Sequence, residues 1–304
     1  MSYFQVSEKP RLWTVLRLSQ GPVYVILIIT AVALRRSTVL SMVMANLASA
    51  STPLLIGLVA IAIERPRLRV PPFREMRRFF AYGSLLITQK ISIVSKDNLD
   101  RMILPFFISA TLFGNYVVAA TCAFLIGLIG PSIDLVAFPT VARQSDPVLK
   151  RRMAELFVSG TIFLTALGLI ILIPLAPWLV TLLFGDAYRS AAPLVAYFLV
   201  AGALQAVRNV LGGMFKAFAR GGSLAWIETV NSVLMLLVIV GLARREGALA
   251  GALAHLISAA VSISLALYLA ARNLGLSPVR MISPAAAFKE GHALWRRTVL
   301  RRSA

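Results

Sequence analysis

Apolar residues occur along the chain in long runs that short polar or basic segments separate. A membrane's hydrocarbon core of about 30 Å requires roughly 20 predominantly apolar residues in helical form. Runs of about this size predict eight membrane-spanning helices, at about 13–34, 38–63, 79–107, 114–140, 156–183, 190–215, 223–243 and 247–271. The pattern therefore predicts an all-α fold, a polytopic membrane helix bundle whose joining loops are too small to form a soluble domain.

The third predicted span is unusual because its neighbourhood, residues 79–112, contains five ionisable side chains: Lys90, Lys96, Asp97, Asp100 and Arg101. A charge that faces lipid is costly, so such residues almost always face a protein interior or a water-filled cavity. We interpret the stretch as one long span, distorted near Pro105. An external loop here would require two further crossings, and these would place the basic segment 143–152 outside the cell.

Basic residues support this topology, because Lys and Arg of short loops collect on the cytoplasmic side of a membrane protein. In this chain they concentrate in alternate connections, chiefly in the segments 65–78, 143–152 and 272–302. The distribution predicts a multi-pass protein of the inner (plasma) membrane with both termini in the cytoplasm.

Composition changes the picture in three ways. The 304 residues are 59% hydrophobic, with a mean hydropathy of +0.82, which is too apolar for an ordinary soluble domain. The net charge of +19 does not indicate nucleic-acid binding, because the 31 Lys and Arg residues form short clusters between apolar runs. One cysteine, Cys122, and two histidines give no basis for redox chemistry, a zinc site or another cofactor.

Catalytic machinery is not predicted either. A membrane-bound transferase or hydrolase would display acidic, His or Ser side chains in a loop or at the mouth of a cavity. The external loops are small, and Asp186 is the one prominent acid in them. We therefore predict that the protein is not an enzyme.

Two segments differ in composition from the spans. Residues 65–78 form a basic cytoplasmic linker, rich in proline and arginine, which separates the first two spans in residues 1–64 from the six in residues 79–271. Residues 272–304 form a basic cytoplasmic tail, which either lies against anionic lipid or is a solvated, disordered tail.

The charges of the third span suggest an anion site. Lys96 with Asp100, and Asp97 with Arg101, are spaced four residues apart, so the two pairs can neutralise their charges on adjacent helix faces. Lys90 has no such local partner, and it falls close to one helical stripe with Asp97 and Arg101. A stripe of net positive charge that faces a cavity would suit an anionic substrate. The alternative is that these residues only hold helices together or lie at the headgroup level.

Later spans add a second set of polar residues in apolar surroundings: Asp134, Arg208, Asn209, Glu228, Asn231 and His255. Arg208 and Glu228 are able to pair between neighbouring helices, so Arg208 either lines a substrate cavity or forms a structural ion pair. For Asp134 and His255, packing or interhelical hydrogen bonding is favoured over proton relay.

Two stretches, residues 95–143 and 182–221, carry recognisable patterns. The first has Asp-Arg late in one helix, Gly-x-Tyr at the start of the next and Phe-Pro before a basic loop; these are Asp100, Arg101, Gly114, Tyr116, Phe138 and Pro139. The second has a Phe-Gly-x-x-Tyr turn at Phe184, Gly185 and Tyr188. Together they resemble the polysaccharide flippases of the multidrug/oligosaccharidyl-lipid/polysaccharide exporter superfamily.

This resemblance implies two lobes of helices that face each other across a central cavity, which opens alternately to each side of the membrane. Residues 79–271 would be the complete six-helix C-terminal lobe, and residues 13–63 would be only the last two helices of the N-terminal lobe. About four helices would then be missing. We expect a truncated form of a longer protein rather than a chain that uses another subunit, because an incomplete cavity would expose polar surface to lipid.

The resemblance and the charged residues together predict a transporter that flips or exports a lipid-linked oligosaccharide or polysaccharide precursor. Its cargo would be an anionic glycan of the polyprenyl-pyrophosphate type, attracted by Lys90, Arg101 and Arg208. Lys96, Asp97, Asp100, Asp134 and Glu228 are the structural or coupling candidates. Glycosyltransferases or a polymerase of the same pathway are the expected partners, in addition to membrane lipids.

Two alternatives remain open at this point. A cation-coupled drug antiporter of the same superfamily would favour acidic rather than basic groups in the cavity. A non-transporting scaffold subunit of a polysaccharide assembly complex would use the basic loops to recruit enzymes. The glycan, the coupling ion and the oligomeric state do not follow from the sequence.

Overall fold

The computed structural model describes residues 19–34, 38–64, 76, 80 and 98–283. The regular elements among these residues are helices and helical turns, and no strand occurs among them. The prediction of an all-α fold is therefore confirmed. The chain divides between Arg78 and Phe79 into two compact units.

The first unit contains two helices that pack against each other, α1 (Gln20–Ala33) and α2 (Val39–Glu64). α2 agrees with the predicted span 38–63 and is long and apolar enough to cross a membrane. α1 has 14 residues in the described part of the first predicted span. The beginning of that span lies outside the described residues.

The second unit contains the other helices. Helical residues 98–103 lead into a 3₁₀ turn at Leu104–Phe106, and α3 (Ala110–Gly127) and α4 (Ile129–Ala142) follow. The chain continues with α5 (Pro147–Phe184), a 3₁₀ segment (Asp186–Ala191), α6 (Ala192–Ala217), α7 (Gly221–Glu246), α8 (Ala248–Leu269), a π turn (Ala270–Leu274) and α9 (Pro278–Ile282).

Within the described residues, six segments are long and apolar enough to cross a membrane: Val39–Ala60, Ala110–Ala142, Pro147–Phe184, Asp186–Ala217, Gly221–Glu246 and Ala248–Leu274. Each overlaps one of the eight predicted spans. Most of the predicted span 79–107 lies outside the described residues. Its end is distorted as predicted, because the 3₁₀ turn Leu104–Phe106 contains Pro105.

The predicted span 114–140 is divided into two helices. Ser109 caps α3 by accepting a hydrogen bond from the backbone N–H of Leu112, and the helix ends at Gly127. Leu128 separates it from α4, and Pro131 follows in the first turn of α4. Proline has no N–H for the carbonyl four residues earlier, which here belongs to Gly127. The helix is therefore interrupted near the middle of the span.

α5 begins earlier than the apolar run indicates, at Pro147 instead of about residue 156. Asp146 caps it by accepting a hydrogen bond from the N–H of Val148, and proline at the first position is favourable because its missing N–H would have no helical partner. The first turns carry Lys150, Arg151 and Arg152, so hydrophobicity alone does not reveal them. At 38 residues, the helix extends beyond the thickness of a hydrocarbon core.

α6 is the central helix of the second unit. It packs against α3, α4, α5 and α8, and more lightly against α7. One apolar cluster forms around its first half, where Phe198 and Leu199 are buried. A second forms around its last half, where Leu211, Met214 and Phe215 are buried. The helix therefore connects the two cores of the bundle.

Small residues bring neighbouring helices close to α6. A Cβ atom on Gly130 of α4 would lie 2.6 Å from the backbone Cα and O atoms of Ala206. A Cβ atom on Gly202 would lie 2.8 Å from a methyl group of Ile126 in α3. Helices in lipid associate through such close packing, because lipid chains remove the hydrophobic driving force that acts in water. These glycines therefore fix the distances from α3 and α4 to α6.

One buried carboxylate connects α5 to the segment after α8. Glu155 Oε1 accepts a hydrogen bond of 2.6 Å from the backbone N–H of Ser277, and its Oε2 lies 3.7 Å from Arg280 Nη1. Leu276 and Met281 are buried beside it. The described part of the predicted tail therefore packs on the bundle as far as α9.

We expect Gly130→Ala to destabilise the bundle, because the new methyl group would meet the rigid backbone of Ala206. Overpacking of this kind costs about 1–3 kcal/mol. The measurement is the midpoint of thermal unfolding of the detergent-purified protein. Gly160→Ala in α5 is the matched control, since a Cβ atom there meets nothing within 4 Å. An unchanged midpoint for Gly130→Ala would contradict the close approach of α4 and α6.

Candidate functional site

A cavity of about 470 Å³ opens in the second unit where α3, α4, α6 and α8 meet the helical residues 98–103. Its walls combine apolar residues with one cation, one carboxylate, one imidazole and three amides. The lining residues are Asn98, Asp100, Arg101, Ala120, Ala123, Phe124, Gly127, Pro131, Phe198, Ala201, Gly202, Gln205, Asn209 and His255. The cavity therefore includes the interruption between α3 and α4, near the middle of that span.

A buried carboxylate organises one wall. Asp100 is 2% exposed, and its Oδ2 accepts a hydrogen bond from the hydroxyl of Tyr116 and lies 3.2 Å from Nε2 of His255. Tyr116 is on α3 and His255 is on α8. The second carboxylate oxygen, Oδ1, is buried and has no hydrogen-bond partner among the described residues. Asp100 thus connects three segments of the chain through a single oxygen.

Aromatic packing holds these partners in place. The ring of Phe198 meets the ring of Tyr116 edge-on, with 5.2 Å between centroids, and lies 5.3 Å from the imidazole of His255. A Cβ atom on Gly251 would lie 2.4 Å from the Tyr116 ring, so this position of α8 leaves room for the tyrosine. The His255 side chain remains 20% exposed and lines the cavity.

Arg101 has different surroundings from its neighbour Asp100. It is exposed, it lines the cavity, and it makes no ion pair with a carboxylate of the described residues. Its suggested partner Asp97 and the cations Lys90 and Lys96 lie outside the described residues. The anion site built from Lys90 and Arg101 therefore stays a prediction. The described residues contribute the exposed Arg101 guanidinium to it.

Arg208 and Glu228 form the interhelical ion pair that their sequence context suggested. Arg208 Nη1 lies 2.5 Å from Glu228 Oε1, and the two side chains are 3% and 8% exposed. Glu228 Oε2 and the nearby Asn231 Oδ1 are buried without hydrogen-bond partners among the described residues. Arg208 is not among the residues that line the cavity. This placement favours a structural pair between α6 and α7 over contact with a substrate.

Asp134 of α4 lies against α6 at Gly213. A Cβ atom on Gly213 would overlap Asp134 Oδ1, at 1.6 Å, so only glycine leaves space for this carboxylate. Oδ1 has no hydrogen-bond partner among the described residues. The role of Asp134 as a structural or coupling residue stays a prediction.

Sequence reasoning did not reveal the partners of Asp100 on other helices or the cavity amide Gln205, although it named Asn209 among the polar residues in apolar surroundings. The predicted pairing of Asp100 with Lys96 stays a prediction, because Lys96 lies outside the described residues. The partners that the structure describes come from α3 and α8. Interhelical hydrogen bonding by His255 was favoured, and the structure confirms it, but its partner was unknown. Gln205 and Asn209 carried a usable signal, since two amides spaced four residues apart occur in an otherwise apolar helix.

No group of three or more His, Cys, Asp or Glu side chains in the described parts of the chain is placed to hold a metal ion. The arrangement is that of a membrane helix bundle with a partly polar internal cavity. The cation, amides and apolar residues that line the cavity suit a solute with an anionic group and, beside it, hydroxyl groups or an apolar part.

Comparison with known proteins places this bundle in a family. The family model described as "Polysaccharide biosynthesis protein" matches residues 11–193, more than half of the chain. The chain belongs to this family of polysaccharide biosynthesis proteins. It is a multi-pass membrane protein of this family, in agreement with the resemblance found in the sequence.

Three curated relatives are similar to parts of the chain. It is 29% identical over 177 residues to the lipopolysaccharide biosynthesis protein WzxC of Escherichia coli (strain K12), covering 57% of the chain and 35% of that protein. The chain is 28% identical over 145 residues to the amylovoran biosynthesis protein AmsL of Erwinia amylovora, covering 46% of the chain and 37% of that protein.

The chain is also 26% identical over 149 residues to the teichuronic acid biosynthesis protein TuaB of Bacillus subtilis (strain 168), covering 48% of the chain and 31% of that protein. The matched segments therefore span about a third of these relatives. No solved structure gave a significant match.

We expect Tyr116→Phe to destabilise the protein, because it removes a hydrogen bond from a buried carboxylate that already has one oxygen without a partner. A loss of this kind costs about 1–3 kcal/mol. Thermal unfolding in detergent is the measurement. Tyr197→Phe on α6 is the control, since the Tyr197 hydroxyl makes no hydrogen bond with the described residues. Equal unfolding midpoints for the two variants would contradict the role of Asp100 as a connecting residue.

A double-mutant cycle tests the Arg208–Glu228 pair. Arg208→Met and Glu228→Met each leave one buried charge without its partner, and such single changes cost about 3–5 kcal/mol. We expect the double variant to be more stable than either single variant, because it removes both charges. The midpoints of thermal unfolding of the wild type, the two single variants and the double variant show whether the two side chains are energetically coupled. Additive losses would show that the two residues do not stabilise each other.

Proposed function

We propose that the protein is part of a transporter that flips a lipid-linked oligosaccharide or polysaccharide precursor across the inner membrane by alternating access. The observation that carries the proposal is the cavity beside α6, where the exposed Arg101 guanidinium accompanies amide and aromatic side chains. Membership of a polysaccharide biosynthesis family and similarity to proteins of lipopolysaccharide, amylovoran and teichuronic acid biosynthesis support it.

Arg101 would attract the anionic part of the cargo. A guanidinium group offers several N–H donors in a planar arrangement that suits phosphate oxygens. Within a partly enclosed cavity its field is screened less than at an open surface. Lys90, about three helical turns earlier in the same predicted span, would add a second positive charge for a pyrophosphate or an acidic sugar.

The rest of the transport cycle is proposed from general transporter physics. Alternating access moves one lobe against another around a site near the middle of the membrane. Residues 79–271 would supply one lobe, and residues 13–63 would belong to the other. Since the chain matches about a third of each relative, the complete cycle would belong to the whole protein. The cytoplasmic placement of both termini and the partnership with glycosyltransferases or a polymerase are parts of this proposal.

A cation-coupled drug antiporter is the second candidate, because the Asp100 carboxylate is also at the cavity wall. That carboxylate is buried and hydrogen-bonded to Tyr116 and His255, whereas Arg101 is exposed. The accessible charge therefore favours an anionic cargo. The test is whether the reconstituted protein flips a labelled polyprenyl-pyrophosphate glycan. Flipping supports the glycan transporter and argues against both the antiporter and a non-transporting scaffold.

We expect the double substitution Lys90→Gln and Arg101→Gln, made in the full-length protein, to abolish surface polysaccharide while the protein level stays normal. The reason is that it removes both proposed cargo-attracting charges. The measurement is the amount of surface polysaccharide relative to membrane-inserted protein in a strain without its own copy.

Arg189→Gln is the matched control. Arg189 is exposed in the 3₁₀ segment before α6 and does not line the cavity. We expect it to leave polysaccharide at the wild-type level. Normal surface polysaccharide in the Lys90→Gln, Arg101→Gln strain would refute the proposed cationic cavity.

A further inference from the structure

One face of α6 forms a continuous wall of the cavity. Phe198, Gly202, Gln205 and Asn209 are spaced by four, three and four residues, so they recur on one side of the helix. All four line the cavity. The helix rises about 1.5 Å per residue, which places Gln205 about 20 Å from the beginning of a helix about 39 Å long. This face therefore reaches the middle of the span.

Two amides on this face have no hydrogen-bond partner among the described residues. Gln205 and Asn209 are half-buried, and neither makes a side-chain hydrogen bond with the described residues. Each amide carries two N–H donors and an acceptor oxygen. Because they line the cavity, both amides are available to hydrogen-bond a polar ligand that enters it.

The surroundings of the amides indicate an uncharged, hydroxyl-bearing ligand. An amide both donates and accepts, as a hydroxyl group does, and it offers no full charge for an anion. Phe124 of α3 is 65% exposed and lines the same cavity, so it presents an apolar ring surface. A sugar ring has hydroxyl groups around its edge and C–H groups on its faces. The cavity volume of about 470 Å³ lies within the usual range for small-molecule sites.

We propose that Gln205 and Asn209 bind hydroxyl groups of the sugar next to the pyrophosphate, while Phe124 packs on a face of the sugar ring. The inference rests on the proposed function and assigns a separate task to each part of the cavity. Arg101 attracts the anionic group, which lipid-linked precursors of this type share. The amides and Phe124 contact the sugar, by which such precursors differ.

Two probes separate these tasks: undecaprenyl pyrophosphate, and the same lipid carrying one glucose. Their dissociation constants are measured with the purified 304-residue chain in detergent micelles. The variant Gln205→Leu, Asn209→Leu keeps side chains of similar size and removes the amides. Two neutral hydrogen bonds are together worth about a tenfold change in affinity. We expect this loss for the glucosyl lipid and no change for the sugar-free lipid.

Two controls accompany the double variant. Arg101→Gln is expected to weaken the binding of both lipids, because both carry the pyrophosphate. Gln144→Leu, in the turn between α4 and α5 and away from the cavity lining, is expected to change neither. If the double variant does not fold, the single variants Gln205→Leu and Asn209→Leu are each expected to lose about threefold for the glucosyl lipid alone.

The outcomes separate this inference from the proposed function. Equal losses for both lipids, or no loss for either, in the amide variants would overturn the sugar contact while leaving the proposed function standing. Failure of the wild-type chain to bind either lipid would overturn the proposed function and the inference together. A selective loss for the glucosyl lipid supports both.

Discussion

Close packing against α6 is the constraint on which the second unit depends. In lipid, apolar side chains gain little from leaving the solvent, so helices must associate through complementary shapes and hydrogen bonds. Gly130 meets the backbone of Ala206, Gly202 meets Ile126, and Gly213 leaves space for Asp134. Because α6 contacts most of its neighbours, these few positions also set the distances between the helices that surround the cavity.

Four ionisable side chains of this bundle occur in two environments. Asp100, Arg208 and Glu228 are buried and have partners on other helices, so their charges contribute to helix association. Arg101 is exposed to the cavity and has no carboxylate partner among the described residues. The difference is informative because all four residues are polar groups in apolar stretches. Accessibility and pairing separate the charge that faces the cavity from those that hold the bundle together.

The interruption between α3 and α4 connects the fold with the site. Pro131 deprives the Gly127 carbonyl of its helical hydrogen bond, and a backbone group without a partner at membrane depth requires protein or water around it. Gly127 and Pro131 flank the break, and both line the cavity. The same wall includes Gln205 and Asn209 from α6. Polar side chains and the Gly127 carbonyl are therefore concentrated in one region of the bundle, near the middle of the spans.

The sequence by itself determined the class of fold, the positions of six long helices, the distortion at Pro105 and the Arg208–Glu228 pair as a possibility. These follow from the length of apolar runs, the lack of an N–H in proline and the rarity of charges in apolar helices. Helix spacing along one segment, however, contains no information about other helices. Such spacing offered Lys96 as a partner of Asp100 but could not reveal His255, which is 155 residues away. Only the tertiary structure decided that Asp100 joins Tyr116 and His255, and that Arg101 shares a cavity with Gln205 and Asn209, because helix packing brings these distant positions together.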